Sequence, residues 1–307
     1  MSSAHLSEAE ERVWAQMPAG TRRALADLPR TDLRTLLLSV ARTRAATVTP
    51  AELMRRWRDD RFVRPAAVDP RRLAVVEARI WQRLPAEVRG VELSPLVPLG
   101  TCSAVAPVSQ NRVVTTIRAT EVLSDATNAL AIEAAGRRQK QPADEPVHLA
   151  ASHRHMRAQD FGTGQSAHFR LFTVVSSARD VGSGTTQALL LTLHLSFWQK
   201  VLADLCPNAG PRLRLSAMDS PVIGERLTDT VLPNLTGPAA SVPVVHEPGR
   251  ERGRGYYVDA ALRITAGEVE LGDGGFTTWT GQLTNNAKER CLVSCLATER
   301  LSTLAEI

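Results

Sequence analysis

Arginine is the residue type with which this sequence could do chemistry. Between His148 and Asp180, Arg157 and Arg170 stand on either side of a Gly-containing segment, Asp160 to Ala167, and Phe172 lies just inside the run that follows. Strand-like runs flank that segment, which predicts a β-hairpin with a long tip. Guanidinium forks grip phosphate oxygens bidentately and a flat ring lies beside them, a combination that suits a nucleoside triphosphate. A second concentration, Arg250-Glu251-Arg252-Gly253-Arg254-Gly255-Tyr256-Tyr257, leads into the apolar run VDAALRI. At Leu123-Ser124-Asp125-Ala126-Thr127 an alternating run gives way to a helix, and Ser and Asp at such a junction are ordinary N-caps. The cysteines, Cys102, Cys206, Cys291 and Cys295, form no C-x-x-C pair and no Cys/His spacing of a zinc site. They read as reduced structural thiols, and no structural metal is expected.

The elements that must hold these groups follow from periodicity and punctuation. Helices are predicted at 8–16, 20–28, 32–44 and 50–60. Thr31 is placed to cap the third, which carries Leu33, Leu36, Leu37, Val40 and Ala41 in one stripe, and Thr49-Pro50-Ala51-Glu52 is a capping box with proline at N1. Arg61 to Ala67 reads as a linker. Asp69-Pro70 opens a helix with Leu73, Val76, Ile80 and Leu84 on one side, followed by the strand-like Gly90 to Pro95. Arg112 to Leu123 alternates like a single strand. After the hairpin, Thr185 to Leu205 is an amphipathic helix; His194 lies close to its apolar stripe and reads as a core-edge histidine. Strands at 212–217 and 242–246 bracket a helix near 224–235, Thr265 to Glu268 turns a hairpin, and a strand at Cys291 to Cys295 runs into a helix at Thr298.

With 307 residues, 43% hydrophobic and 22% charged, the chain can bury a sizeable core and has room for one large domain beside a small one. The boundary is expected near residue 65. No run approaches the roughly 20 apolar residues that span a bilayer, and the N-terminus lacks a signal peptide's apolar core, so a cytoplasmic location is expected. Residues 1–90 hold 17 arginines against 11 aspartates and glutamates, an excess larger than the +5 of the whole chain. That basic module could contact RNA, but without aromatic interleaving it reads as a solvated helical face.

Several of these stretches, in this order, resemble the catalytic core of class II aminoacyl-tRNA synthetases, and most closely histidyl-tRNA synthetase. Met156-Arg157-Ala158-Gln159 and Arg170-Leu171-Phe172 resemble the F-R-x-E and R-x-F ends of motif 2, with Gln159 in place of glutamate. The helix and strand that stop at Pro95 resemble motif 1, the element that builds the family's dimer interface. Leu123 to Thr127 resembles an L-R-P-E-x-T turn that receives the substrate amino group, and Arg252 to Tyr257 resembles R-G-L-D-Y-Y. Gly272 to Phe276 resembles G-G-R-Y-D, and Thr298-Glu299-Arg300-Leu301 resembles motif 3, with Val293 and Ala297 where the family has glycines.

The resemblance implies an α+β fold, an antiparallel sheet flanked by helices over residues 66–307, preceded by a helical module at 1–65. It implies ATP with Mg2+, Arg157 on the α-phosphate, Phe172 stacked on adenine, and Gln159, Arg170, Glu299 and Arg300 around the nucleotide. Asp125 and Thr127 would meet the substrate amine, Arg252 its carboxylate and the α-phosphate, and Tyr256 and Tyr257 would complete the pocket. Val174 and Ala178 stand where the family reads histidine, which argues against histidine as substrate. The chain ends six residues after Leu301, so a core without the anticodon-binding domain is expected. Two readings follow. One is a stand-alone homodimeric enzyme that adenylates an amino acid or related carboxylate and passes it to a tRNA or carrier-protein acceptor. The other is a non-catalytic paralogue similar to the regulatory subunit of ATP phosphoribosyltransferase.

Overall fold

Capping residues start the first helices close to where the sequence places them. The computed structural model describes residues 7–160, 162, 166–218, 220–237 and 241–307, so part of the expected hairpin tip, including residues 163–165, lies outside the described residues. Helix α1 (Glu8–Trp14) begins at a reciprocal Ser7/Glu10 capping box, followed by α2 (Thr21–Asp27) and α3 (Arg30–Ala45). Pro29 occupies the N-cap of α3, so Thr31 lies inside the helix and is not its cap. Helix α4 (Pro50–Asp59) is capped by the Thr49 side chain, which accepts from the Glu52 N–H, with Pro50 in the first turn. None of the residues in these four helices is buried, and Leu36, Leu37 and Val40 of the α3 stripe are exposed.

The segment read as a linker is tied to the hairpin. Arg61 donates to the carbonyls of Gln159 (2.9 Å) and Ala158, and the Arg64 carbonyl lies 2.6 Å from His168 Nε2. Beyond it, Asp69 caps α5 (Pro70–Gln82), whose Leu73, Val76 and Ile80 are buried. Only the short β1 (Arg89–Gly90) forms where a longer strand was expected. Next come β2 (Leu96–Pro98), α6 (Thr101–Val105) and β3 (Thr120–Val122). The alternating run from Arg112 to Leu123 is thus not one strand. It folds back at residues 116–120, where the Thr116 N–H donates to the Thr120 carbonyl and Ala119 takes φ 56°.

Among the described residues the main sheet has eight strands. Helix α7 (Ala126–Arg138) leads to β4 (Val147–Met156) and β5 (His168–Arg179), the predicted hairpin, with Met156 opposite His168. Helix α8 (Thr185–Leu205), β6 (Pro211–Met218), α9 (Pro221–Arg226), π-helical turns over Leu227–Val231, α10 (Leu232–Asn234) and β7 (Val244–His246) follow. Then come β8 (Val258–Ala266), β9 (Val269–Thr277), α11 (Trp279–Thr284), β10 (Glu289–Ala297) and α12 (Thr298–Leu304). The strand order is β1-β4-β5-β10-β9-β8-β6-β7, antiparallel except at the outer pairs β1/β4 and β6/β7.

Strand alternation divides the sheet's side chains between two cores. Phe172, Val174, Leu292 and Leu296 pack under α5 and α8 with Phe197 and Trp198, whereas Leu149, Val175, Cys291 and Val293 pack under α7. A buried bidentate pair, Arg138 to Glu289, fastens the end of α7 to β10. In the first core His194 is fully buried, within hydrogen-bonding distance of Ser176 (2.8 Å) and Ser294 (2.8 Å). It is thus a central residue and not an edge one.

Two outcomes are expected. Burial lowers the His194 pKa to about 3, so the unfolded chain takes up its proton first. His194 therefore contributes stability above pH ~6.5 that is lost as pH falls from about 6.5 towards 3. Urea midpoints should drop between about pH 7.5 and 5, and His194→Gln should lessen that drop. Secondly, Arg61→Ala should raise severalfold the rate of proteolysis between residues 61 and 69 and leave a folded fragment from near residue 66; an unchanged rate counts against a separable N-terminal module.

Candidate functional site

The end of β4 and the start of α7 meet over the α7 face of the sheet, and their meeting is fixed by hydrogen bonds. Asp125 is the α7 N-cap: its Oδ1 accepts from the Thr127 N–H at 3.0 Å and hydroxyl at 2.7 Å. Its Oδ2 faces Arg157 Nη2 at 3.2 Å, while Arg157 Nε donates to the Ser124 carbonyl at 3.0 Å. His155, one turn of the pleat earlier, accepts the Ala126 N–H on Nε2 at 2.7 Å, and burial pushes its pKa far down. It is therefore a neutral cap for the helix.

Around this junction lies a cleft with two lobes of about 350 and 540 Å³. Asp125, Arg157, Arg252 and Asp273 line both lobes, so the two are one site. Phe169, Leu171, Arg300 and Ala297 line the larger lobe, and Arg112, Gln159, Arg250, Tyr256 and Tyr257 line the smaller. Arg157 sits between them, 5.2 Å over the Phe169 ring.

The turn before β8 builds the floor of the smaller lobe. Tyr256 and Tyr257 both donate their N–H to the Gly253 carbonyl, and Gly253 takes φ +89°. The Tyr257 ring lies between Gly253 and Gly275, where added Cβ atoms would come within 2.8 and 2.6 Å of it. Tyr256 packs edge-on against Trp279. Burial raises the pKa of both phenols, so each offers a protonated hydroxyl. Asp273 rises from β9 beside them; burial pushes its pKa up, and Arg250 and Arg252 oppose that shift.

The predicted site residues fare unequally. Asp125, Arg157, Arg252, Gln159, Tyr256 and Tyr257 meet in the smaller lobe, and Arg170, Glu299 and Arg300 line the larger. Thr127 is buried beneath Asp125 and supports it without lining either lobe. Phe172 corrects the expectation. It has no accessible surface and packs against Trp81, Phe197 and Trp198 on the opposite face of the sheet, so it cannot meet adenine in the cleft. Phe169, three residues earlier and of the other parity, is the ring in the lobe. Arg170 is paired with Glu77 (2.9 Å), Glu299 with Arg154 (2.5 Å), and Arg300 donates to the Glu270 carbonyl (2.5 Å). The sequence reading also missed Arg250 and Asp273. Asp273 is the acid set among Gly272, Gly274 and Gly275 in β9, and that setting is the signal that could have exposed it.

Solved structures share this fold. One described as an ATP phosphoribosyltransferase regulatory subunit/histidyl-tRNA synthetase from Bacillus halodurans superposes with a TM-score of 0.62 at 11% identity, covering 81% of this chain and 83% of that one. The chain has the class II aminoacyl-tRNA synthetase fold. Histidyl-tRNA synthetase from S. aureus (TM-score 0.56, 13% identity, 78% of this chain and 68% of that one) agrees. So does a histidine–tRNA ligase subunit from Alicyclobacillus acidocaldarius (TM-score 0.56, 13% identity, 78% and 96%). No family model and no curated protein matches the sequence. Within this fold the cleft lies on the sheet face over which α7 begins, and among the described residues no helix is long and apolar enough to cross a membrane.

The two phenylalanines can be told apart by stability. Phe172→Ala should cost about 3–5 kcal/mol in urea unfolding, as for a ring removed from a packed core, and Phe169→Ala about 1 kcal/mol or less. Equal losses would contradict the assignment of the two faces.

Proposed function

We propose that the protein activates a small amino acid or related carboxylate as its adenylate. The observation that carries this reading is that Arg157 lines both lobes beside an acid, Asp125, with a ring and Arg300 in the larger lobe and Tyr256 and Tyr257 in the smaller. Adenine would stack on Phe169 in the larger lobe with the triphosphate towards Arg300, and the amino acid would occupy the smaller lobe with its ammonium near Asp125. A carboxylate oxygen then attacks the α-phosphorus, forming the acyl-phosphate bond as the bond to pyrophosphate breaks and pyrophosphate leaves with the electron pair. Arg157 faces the charge that develops on the α-phosphate and is already held by Ser124 and Asp125, so little reorganisation is needed.

Mg2+ would supply charge neutralisation on the leaving phosphates, with Glu270 and Glu299, both on the larger lobe, as the carboxylates facing it. Among the described residues no cluster of three His, Cys, Asp or Glu could hold an ion unaided, so the ion would be carried in on the nucleotide. A cytoplasmic homodimer formed through the motif 1 region, with tRNA or a carrier protein as acceptor, completes this reading. The basic helical module, joined to the hairpin through the contacts of Arg61 and Arg64, is then a surface for such an acceptor.

A second reading, a non-catalytic regulatory subunit, is favoured by Gln159 and by Ala297, which lines the larger lobe where the resemblance expects glycine. Pyrophosphate exchange scanned over the amino acids separates the two. The enzyme should exchange with at least one amino acid, and Arg157→Lys should lower turnover by roughly 100-fold, about 3 kcal/mol, with the fold intact. A regulatory subunit would exchange with none.

A further inference from the structure

Two arginines two residues apart enter the smaller lobe, and they differ in what they can still do. Arg252 is at the rim: its side chain is 68% exposed and Nη1 is paired with Glu270 at 2.9 Å. Arg250 is at the floor, with a side chain 5% exposed. The turn that folds Tyr257 back against Gly253 brings it there, and its Nε donates to the Arg252 carbonyl at 2.9 Å. The rest of the guanidinium is unspent. Nη1 is buried without a hydrogen-bond partner, and Nη2 lies 4.0 Å from Asp273 Oδ2, beyond hydrogen-bonding reach. The Tyr257 ring, 6.0 Å away, offers a face and no acceptor.

Unmet donors on a buried cation are costly unless something accepts them. Neither carboxylate of this lobe meets the need: Asp125 is held by Thr127 and Arg157, and Asp273 is too distant to bond Arg250. Four guanidinium groups (Arg112, Arg157, Arg250, Arg252) face two carboxylates (Asp125, Asp273), which leaves the lobe with an excess of positive charge. An occupant that carries a carboxylate for Arg250 and an ammonium for the acids balances it. The rest of the wall is apolar at Ala106, Val108 and Val113 and polar but uncharged at Ser124, Asn128 and Gln159, so it holds no charge to pair with a charged side chain.

We propose that Arg250, and not Arg252, binds the carboxylate of the substrate, and that the substrate is an α-amino acid with an uncharged side chain lying against Ala106, Val108 and Val113. This rests on the reading of the cleft as an amino-acid-activating site. Arg250 makes a two-pronged contact at the closed end of the lobe, and Arg252 stays at the rim towards the triphosphate.

The test is calorimetric binding of the standard amino acids and their carboxamides to the full-length protein in the presence of ATP and Mg2+, repeated with Arg250→Lys and Arg252→Lys. An amino acid with an uncharged side chain should bind the wild type, and its carboxamide should bind far more weakly. Arg250→Lys should weaken the acid by at least about 30-fold, the usual consequence of spoiling a buried charge-paired contact, while Arg252→Lys changes it by less than about threefold. Should Arg250→Lys not fold, Arg250→Gln, which keeps a polar head without the charge, is the second variant, and the same loss is expected. Acid and carboxamide binding alike, unchanged affinity in the Arg250 variants, loss in Arg252→Lys instead, or no binding by any uncharged amino acid would each overturn the assignment. Binding that depends on Arg250 without pyrophosphate exchange would sink adenylation and leave Arg250 in place; exchange that survives in the Arg250 variants would do the reverse.

Discussion

The alternation of β5 is the constraint on which the rest of this structure depends. Each side chain of the strand must choose between the core under α8 and the face under α7, and a shift of one residue would exchange the two sets. With Phe172, Val174 and Ser176 committed to α8, Phe169 and Leu171 are left for the cleft and Val175 and Ser177 for the α7 side. The register is enforced from the core. Phe172 packs against Trp81, Phe197 and Trp198, and Ser176 meets His194, so a slip of one residue would place the Thr173 hydroxyl among the rings or, in the other direction, Val175 against the histidine. The same continuous pairing of β4 with β5 carries Arg157 to the edge of the ladder, where its N–H still bonds the Ala167 carbonyl.

From that edge outward, position is set by polar contacts. Arg157 is held at two points, by the Ser124 carbonyl and the Asp125 carboxylate, and Asp125 is itself held as the cap of α7. The guanidinium is thus oriented by a helix terminus packed on the sheet, a firmer support than a loop. His155 adds a further brace, since as a neutral acceptor it binds the first N–H of α7 from within the sheet. The segment at 61–64 reaches the same place from the opposite direction, through the carbonyls of Ala158 and Gln159 and the ring of His168. Both faces of the hairpin end are therefore secured while the residues between them carry the site.

Much of this was legible in the sequence because it rests on local signals. The hairpin, the Asp125 cap, the proline-started helices and the R-G-x-x-Y-Y turn each have their cause within a few residues of themselves. What was not legible depends on contacts distant in the chain. Phe172 looked available because an R-x-F pattern says nothing about which face a strand presents; only α8, packed from the far side, decides it. The stripe of α3 looked like core because periodicity reports amphipathicity and not the existence of a partner, and Leu36, Leu37 and Val40 remain exposed. Arg250 and Arg252 were indistinguishable as letters, and the fold-back at Gly253 separates them into a buried and an exposed cation. His194 was read as core-edge because a single helical stripe cannot show that two serines on neighbouring strands will enclose it.

The substituted glycines of motif 3 weigh differently once their faces are known. Val293 and Ala297 share one face of β10, so on sequence grounds both would crowd a nucleotide. Val293, however, pairs with Gly275 in the middle of the sheet and is buried in the core under α7 with Tyr257 and Ala261. Its side chain fills space that belongs to packing, not to the cleft. Only Ala297 lines the larger lobe, and it adds a single methyl to a cavity that still measures about 540 Å³, within the range typical of small-molecule sites. Gly272, which lines the same lobe from β9, keeps the neighbouring strand without a side chain there. Of the departures from the family pattern, the loss of the glycines is therefore the weaker argument against a nucleotide, and Gln159, which lines the smaller lobe beside Arg157, is the stronger.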